Sequence, residues 1–481
     1  MQLNKLYKSY TLASCIIFFG FGITTLCQQD FAWILAAFLW VLSIPFLKWF
    51  IKKTEDFFWL LLILLPLSTE LNPTASLGLD FPVEPILCLL TVAAFGYLLF
   101  KPTVFFEVLK SKVWIFILVW LLWISVTIFF STQQWLSVKF LLAKIWYIIP
   151  LVLLTPVFVK ESTHFKKIGL CLCIPMLFTI IQTLIRHSFY GFDFIAIKKT
   201  LHPFFRNHVN YASMLVCLLP LAWLIHKFTP AHSRNRKLVN IGLLIAGFGL
   251  FFAYSRGAWL ALIVGLLAAW LIRKKIIFKT IIAAMVLIVI CITTLSYQNN
   301  YLRFAPEHDQ TIFHTDFRDH INATVTLKDI SNAERFHRWV AGIRMVAEKP
   351  FTGFGPNSFY SQYQPYTVSS FKTWVSNNPE HSTVHNYFLL TAIEQGILGL
   401  ILLLAFWMYL LIQSQTLYHQ FKNKFHQAIA LANGTLLSMI ACINFTSDLI
   451  ETDKIGGLFW LSVGIIIILE IKLKQEQQPF Y

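Results

Sequence analysis

Charged residues are scarce in this sequence of 481 residues. Lysine, arginine, aspartate and glutamate make up 13% of the chain, and the mean hydropathy is +0.65. Soluble domains carry about 25% charged residues, so the composition argues against a soluble protein and indicates a membrane protein. Acidic residues are the scarcer kind, 23 against 39 basic ones, for a net charge of +16. The basic residues cluster between apolar runs, which is a topology signal, so nucleic acid is not expected as a partner.

Motifs for disulfides, zinc and nucleotides are also missing. The eight cysteines lie nearly all inside apolar runs without a pair of C-x-x-C motifs, which indicates small buried hydrophobic residues. The chain has no GxxxxGK[ST] loop, no Rossmann fingerprint and no internal repeat. A lipoprotein-like box ends at Cys15, but the apolar segment follows it, so a cleaved signal is not expected.

Apolar runs long enough to cross a membrane, about 17–25 residues, recur along almost the whole chain. The candidate spans are 11–27, 31–50, 57–69, 82–100, 113–131, 139–159, 167–187, 209–226, 238–254, 257–272, 277–297, 384–412, 427–446 and 457–472. The short runs 57–69 and 257–272 are candidates for re-entrant or tilted segments. The sequence therefore predicts an all-α polytopic membrane protein with 12 to 14 transmembrane helices.

Lysine and arginine are concentrated in alternate connections between these spans. By the positive-inside rule, the basic connections and both termini are cytoplasmic. The opposite connections at 28–30 and 69–80 contain no basic residue. Two opposite connections are basic nevertheless, 188–208 and the large loop 298–383, which indicates an anionic ligand outside the cytoplasm. The predicted parts are an N-terminal bundle of about eleven segments (1–297), this outer loop (298–383), and about three C-terminal helices (384–481).

Arg256 lies between two apolar runs, in Ala253-Tyr-Ser-Arg-Gly-Ala-Trp259. An arginine costs roughly 2.5–3.5 kcal/mol at the centre of a membrane helix, and less near an interface. It is either a snorkelling interface residue or an anion ligand. We favour the anion ligand because the predicted topology puts Arg256 on the outer side, and Gly257 would let a phosphate approach the backbone closely.

Two arginines lie on an amphipathic helix predicted between Glu334 and Pro350. One interpretation is a helix that lies on lipid headgroups. The other is that Arg335 or Arg338 presents its guanidinium group to a diphosphate.

The stretch HSTVHNYFLLTAIEQGILGL contains His381 and His385. At about 100° per residue in a helix, Ala392, Gly396 and Gly399 lie on the same side as His385. This pattern predicts a seam of small residues packed on another helix, with His385 at its outer end. A metal pair is disfavoured because no acidic third ligand is evident. A general base fits better.

These motifs together resemble the O-antigen ligase and O-antigen polymerase superfamily. Ser255-Arg256-Gly257 matches its Arg-Gly pair, Arg335 with Trp339 its Arg-x-x-x-Trp, and 350–355 its Pro-x-x-Gly-x-Gly. His385-Asn386, Gly396 and Gly399 meet the ligase spacing of His-Asn, nine residues, Gly, two residues and a small residue. Asn210-Tyr-Ala212 matches more loosely. The resemblance covers about residues 200 to 410.

The resemblance implies a GT-C-like, inverting glycosyltransferase of the bacterial inner membrane with a periplasmic active site. It would transfer a glycan from undecaprenyl diphosphate to a hydroxyl of lipid A-core without a metal or other cofactor. His385 would be the base, and Arg256, Arg335 and Arg338 would bind the diphosphate. Arg206, His208, Asn210, His381 and Asn386 are secondary candidates, and Asn207 is a predicted helix cap.

Two alternatives share these motifs, an O-antigen or exopolysaccharide polymerase and a protein O-oligosaccharyltransferase. The His-Asn spacing favours the ligase. A transporter for anions is disfavoured, because transporters usually carry their charged groups near the membrane midplane. Membrane lipids are expected partners of any of these. Ligases of this type usually have about twelve spans, against the fourteen candidate segments counted in this chain.

Overall fold

The protein folds as a bundle of helices with one short β-hairpin. The computed structural model describes Phe50, residues 52–74, 77–304, 330–372, Ser376, Asn378 and residues 381–477. In the part of the chain so described, the strands are β1 (Thr69–Thr74) and β2 (Leu77–Phe81), which pair antiparallel. The helices are α1 (Thr54–Leu64), α2 (Val83–Phe100), α3 (Phe106–Leu109), α4 (Lys112–Phe129), α5 (Gln134–Ile148), α6 (Thr155–Phe158), α7 (Ser162–Ser188), α8 (Ile197–Thr200), α9 (His208–Phe228), α10 (Arg234–Phe251), α11 (Arg256–Lys274), α12 (Ile277–Ser296), α13 (Ile330–Glu348), α14 (Phe359–Gln362), α15 (Tyr387–Gln420), α16 (Lys424–Phe445) and α17 (Asp453–Gln477).

The predicted fold class is confirmed. Among the described residues, ten helical segments are long and apolar enough to cross a membrane. They are α2, α4, α5 continued through α6, α7, α9, α11, α12 continued to Tyr301, α15, α16 and α17. The candidates 11–27 and 31–50 lie outside the described residues, apart from Phe50. Helix α10 has a similar length, but Arg234, Arg236 and Lys237 occupy its first turn.

The two short candidate spans have different outcomes. Segment 257–272 is part of α11, a helix of 19 residues. Segment 57–69 does not form a helix of spanning length, because α1 ends at Leu64 after 11 residues. At 1.5 Å per residue it is about 16 Å long, against roughly 30 Å of hydrocarbon. Pro66 in the following 3-10 turn and the polar residues from Ser68 onward explain why the helix stops.

Connections between the helices meet at two opposite ends of the bundle. At one end, the Tyr254 hydroxyl donates to the Phe192 carbonyl at 2.7 Å, and the Tyr387 amide donates to the Ser447 carbonyl at 3.0 Å. At the other end, the Ser111 hydroxyl donates to Glu470 at 2.8 Å. The candidate functional residues lie at the first end, which we call the site end.

Helices α16 and α17 form the centre of the bundle and are mostly buried, whereas α12 lies at its periphery. The amphipathic helix predicted in the outer loop is α13, and its apolar face packs on the first half of α15. Gly342 of α13 lies against the side chains of Leu389 and Ile393, and Met345 is fully buried. The buried face of α13 therefore contacts protein.

Helix α15 is broken at Gly396, which has φ +71° and ψ 179°, a conformation essentially limited to glycine. The turn after α13 inserts at this break. The Phe354 and Gly355 amides donate to the Ile393 and Glu394 carbonyls, both at 2.9 Å, and the Ile397 amide donates to the Pro350 carbonyl at 2.7 Å.

The break also frees the Gln395 carbonyl from the helical pattern, and Trp123 of α4 donates to it at 2.9 Å. Buried backbone groups need such partners, above all within a membrane. The prediction of a seam for another helix was therefore wrong at Gly396. Its missing side chain makes room for the backbone of Phe351, whereas Gly399 packs against a neighbouring membrane helix, at Trp123.

Candidate functional site

His385 lies in the connection that leads into α15, two residues before the helix begins. The sequence placed it at the head of a helix, but the helix starts at Tyr387, and His385 has φ +53°. Its amide donates to the Thr383 hydroxyl at 3.2 Å. The next residue, Asn386, caps the helix by accepting from the Leu389 amide at 3.0 Å. A positive φ outside glycine is uncommon and concentrates at functional sites.

Helix α13 holds the segment just before His385. The Trp339 indole donates to the Val384 carbonyl at 3.0 Å, and the Arg338 guanidinium donates to the Thr383 carbonyl at 3.3 Å. Trp339 is the last residue of the Arg-x-x-x-Trp motif. This motif therefore has a positioning role beside His385 that its spacing alone does not reveal.

Arg338 is buried and forms an ion pair with Glu334, with 3.2 Å between Nη2 and Oε2. Ser376 donates to the other oxygen of Glu334 at 2.7 Å. The charge of Arg338 is thus largely balanced within its own helix, which makes it a supporting residue.

Burial and two arginines act on His385 together. Burial lowers the pKa of its imidazole most, and the positive charges of Arg338 and Arg335 lower it further, to about 3. The imidazole is therefore neutral at physiological pH and can accept a proton. The electrostatic effect also places both arginines near the ring.

Arg256 is the first residue of α11, where the helix dipole adds positive potential. The next residue, Gly257, is close to Thr446, since a Cβ built on it would be 3.9 Å from the threonine hydroxyl. Thr446 begins a short connection after α16 that reaches the His385 segment. The Ser447 carbonyl accepts from Tyr387, and Asp448 accepts from the Thr383 hydroxyl at 2.8 Å. The segments with Arg256 and His385 therefore flank one connection.

Residues 241–404 match the family described as O-antigen ligase. The matched segment is therefore similar to that family over about a third of the chain. The match contains Arg256, Arg335, Arg338 and His385, so all four predicted principal residues fall within it. No curated protein shows significant similarity to the chain. The match supports a membrane enzyme of the O-antigen ligase or polymerase type, with glycan and lipid-linked substrates.

The secondary candidates are dispersed around the candidate site. His381 stacks on Tyr360 with ring centroids 4.0 Å apart. Arg206 forms an ion pair with Glu70 in a separate pocket that Asn210 also lines. His208 is the first residue of α9, and Asn207 caps that helix as predicted, accepting from the Asn210 amide at 2.9 Å. Among the described residues, no group of three or more His, Cys, Asp or Glu side chains is arranged to hold a metal ion.

Several buried or half-buried acidic residues support the site and were missed in the sequence. Glu394 accepts from the Ser358 and Phe359 amides at 3.1 and 3.2 Å, which fixes the start of α14. Burial raises the pKa of Asp448, while the bond from Thr383 lowers it. Glu451 pairs with Lys144 of α5. Acidic residues are rare in this chain and costly near hydrocarbon, and that rarity was the available signal.

Proposed function

We propose that the protein is a membrane glycosyltransferase that moves a glycan from undecaprenyl diphosphate to a hydroxyl of lipid A-core, on the outer face of a bacterial inner membrane. The observation that carries the proposal is a half-buried, neutral imidazole at His385 beside arginines, at one end of a membrane bundle. A neutral base is needed to activate a hydroxyl, and fixed cations are needed to stabilise a diphosphate leaving group.

In the proposed reaction, the acceptor oxygen attacks the anomeric carbon of the donor sugar. Its proton passes to the His385 imidazole. The bond between the anomeric carbon and the diphosphate oxygen breaks, and undecaprenyl diphosphate leaves with the electron pair. A single displacement of this kind inverts the configuration at the anomeric carbon.

The arginines would have unequal roles. Arg256 at the start of α11 and Arg335 on α13 would bind the diphosphate, because positive potential at a helix N-terminus and a planar guanidinium both suit phosphate. Arg338 would act indirectly, since Glu334 and the Thr383 carbonyl already engage its guanidinium.

Substitutions at the site test this proposal against matched controls at the start of α10. His385→Ala and Arg256→Ala should each reduce glycan transfer by at least about 100-fold, the effect typical of losing one group that stabilises a transition state. Exposed His232 and Arg234 lie at the far end of α10 from Arg256. His232→Ala and Arg234→Ala should transfer glycan at the normal rate. The measurement is transfer by purified full-length protein, with membrane insertion checked for each variant.

Full transfer by the His385→Ala variant would contradict the base assignment.

The glycans of a deletion strain separate the ligase from its alternatives. Lipid A-core without long chains, together with accumulated lipid-linked polymer, identifies a ligase. A single repeat unit on each core identifies a polymerase, and unchanged lipopolysaccharide would contradict the lipid A-core acceptor.

A further inference from the structure

A second polar pocket lies at the site end, apart from His385 and its arginines. Its volume is about 230 Å³, and it opens between the β-hairpin, the segment before α9 and the start of α17. Its polar lining consists of Glu70, Asp80, His202, Arg206, Asn210, Thr452, Asp453 and Lys454. Pockets for drug-sized ligands usually measure roughly 300–1,000 Å³, so this one suits a group the size of a single sugar ring.

The cations of the pocket are held by carboxylates of the same pocket. Arg206 forms an ion pair with Glu70. Lys454 lies 3.5 Å from an Asp453 oxygen and donates to the Ser68 carbonyl at 2.9 Å. Both Asp453 and Lys454 are buried, so these side chains have fixed positions.

The net charge of the pocket differs from that of the His385 site. Three carboxylates face two cations, which leaves no surplus of positive charge for a phosphate. Burial and the nearby Asp453 raise the pKa of Asp80 to about 7, so Asp80 is partly protonated at neutral pH and can both donate and accept.

Donors and acceptors at fixed positions are suited to the hydroxyl groups of a sugar. Carboxylates and the Asn210 amide oxygen accept from hydroxyls, while Arg206 and Lys454 donate to them. Phe204 and Phe205 also line the pocket and offer an apolar wall to the carbon face of a sugar ring. The pocket thus combines an apolar surface for the carbon face of a sugar ring with polar groups for the hydroxyls at the edge of that ring.

The connection between α16 and α17 links this pocket to the candidate active site. Its first residues, Thr446 to Asp448, flank Arg256 and His385, and Thr452 to Lys454 line the pocket. We propose that the pocket binds one uncharged sugar residue of the glycan substrate. The proposal rests on the proposed function, because the bound sugar would belong either to the donor glycan or to the acceptor core.

Sugar binding can be measured without any transfer reaction. The probes are glucose, N-acetylglucosamine, glucose 6-phosphate and inorganic phosphate, each added to purified full-length protein in lipid nanodiscs and followed by saturation-transfer NMR. The uncharged sugars should bind. Asp80→Asn and Asn210→Ala should each weaken that binding by about tenfold, the typical effect of losing a hydrogen bond within a polar site.

The control is Asp56→Asn, which alters a carboxylate on α1, outside the pocket, that pairs with Lys53. It should bind sugar as the unchanged protein does. Stronger binding of phosphate or glucose 6-phosphate, absence of sugar binding, or unchanged binding by both pocket variants would each overturn the proposal. Size-exclusion profiles show whether each variant is folded. If Asp80→Asn is unfolded, Asn210→Ala alone provides the test.

Transfer kinetics then identify the source of the sugar. A higher KM for the donor glycan in the pocket variants, with kcat unchanged, assigns the sugar to the donor. A higher KM for the acceptor assigns it to the core. A lower kcat with neither KM changed would count against a binding role. If the unchanged protein transfers no glycan, the proposed function fails, while the NMR result still decides whether the pocket binds sugar.

Discussion

The proposed base, His385, has a pKa far from the value at which a base works best. General bases are most effective when their pKa lies near the working pH, whereas burial, Arg338 and Arg335 lower the pKa of His385 to about 3. A diphosphate bound by Arg335 and Arg256 would cancel part of the positive charge near the ring. We therefore expect the donor substrate to raise the pKa of its own catalytic base.

This expectation predicts different pH dependences for two rate constants. The ratio kcat/KM reports the free enzyme and kcat reports the substrate complex. A base loses activity as the pH falls through its pKa, so the acid limb of kcat should lie at higher pH than that of kcat/KM. Rates measured from about pH 3 to 9 would show this, and coincident limbs would contradict it.

The stability of the fold must be followed over the same pH range. The pKa of His385 is lower in the folded protein than the usual 6.5. Its contribution to stability is therefore complete above about pH 6.5 and declines as the pH falls toward the folded value. A loss of activity that coincides with unfolding would not report catalysis.

At the scale of elements, α15 is a membrane helix interrupted by a loop. The 350–355 turn bonds to both sides of Gly396, and the Ser137 hydroxyl of α5 donates to the Pro356 carbonyl at 2.6 Å. The outer loop is therefore joined to α15 and α5 by hydrogen bonds. This arrangement holds α13, and with it Arg335 and Arg338, in a fixed place beside His385.

Gly396→Ala should destabilise the protein strongly. The strained backbone would cost about 1–3 kcal/mol, and the new methyl group would overlap the Phe351 carbonyl. Gly247→Ala in α10 is the matched control, because nothing lies within 4 Å of an added Cβ there. That change should stabilise the helix by about 0.5–1 kcal/mol. Thermal unfolding in detergent compares the two, and equal midpoints would argue against a required break.

At the scale of the whole molecule, one ion pair connects distant parts of the sequence. Lys144 of α5 contacts both oxygens of Glu451 at 2.6 Å, and its side chain is 5% exposed. Glu451 lies in the α16–α17 connection that joins the candidate active site to the polar pocket. The ion pair therefore ties this connection to the bundle.

Lys144→Met should lower the unfolding temperature, because Glu451 would remain half-buried without its cation. Breaking such a buried pair from one side costs about 3–5 kcal/mol. Adding Glu451→Gln should restore part of the loss, since the stranded charge is then removed. Lys139→Met, at an exposed position on the same helix, is the control. The ion pair would be irrelevant to stability if Lys144→Met unfolded at the same temperature as this control.

The sequence predicted what depends on apolar length and missed what depends on tertiary contacts. Run lengths located all ten spanning segments in the described part of the chain, including the short run in α11. The candidate span 57–69 does not form a spanning helix, because Pro66 and the polar hairpin that follows end the helix despite the apolar run. The prediction of a helix face that includes His385 assumed a regular helix, but the helix begins only at Tyr387 and is broken at Gly396.

For the site, motifs identified residues but not their partners. Asp448 and Glu451 lie in one connection, and their pairing with Thr383 and Lys144 arises only in the folded chain. Single-sequence periodicity holds no information on such long-range pairs. The roles of Arg256, Arg335 and His385 in the reaction stay predictions.

The break at Gly396 also bears on how this protein can be recombined with relatives. Backbone hydrogen bonds join the turn after α13 to both halves of α15. The conformation of each part therefore depends on that of the others. A chimera joined between residues 372 and 387 would pair a turn from one protein with a broken helix from another. Exchange of residues 330–420 as one block keeps every one of these bonds within a single parent.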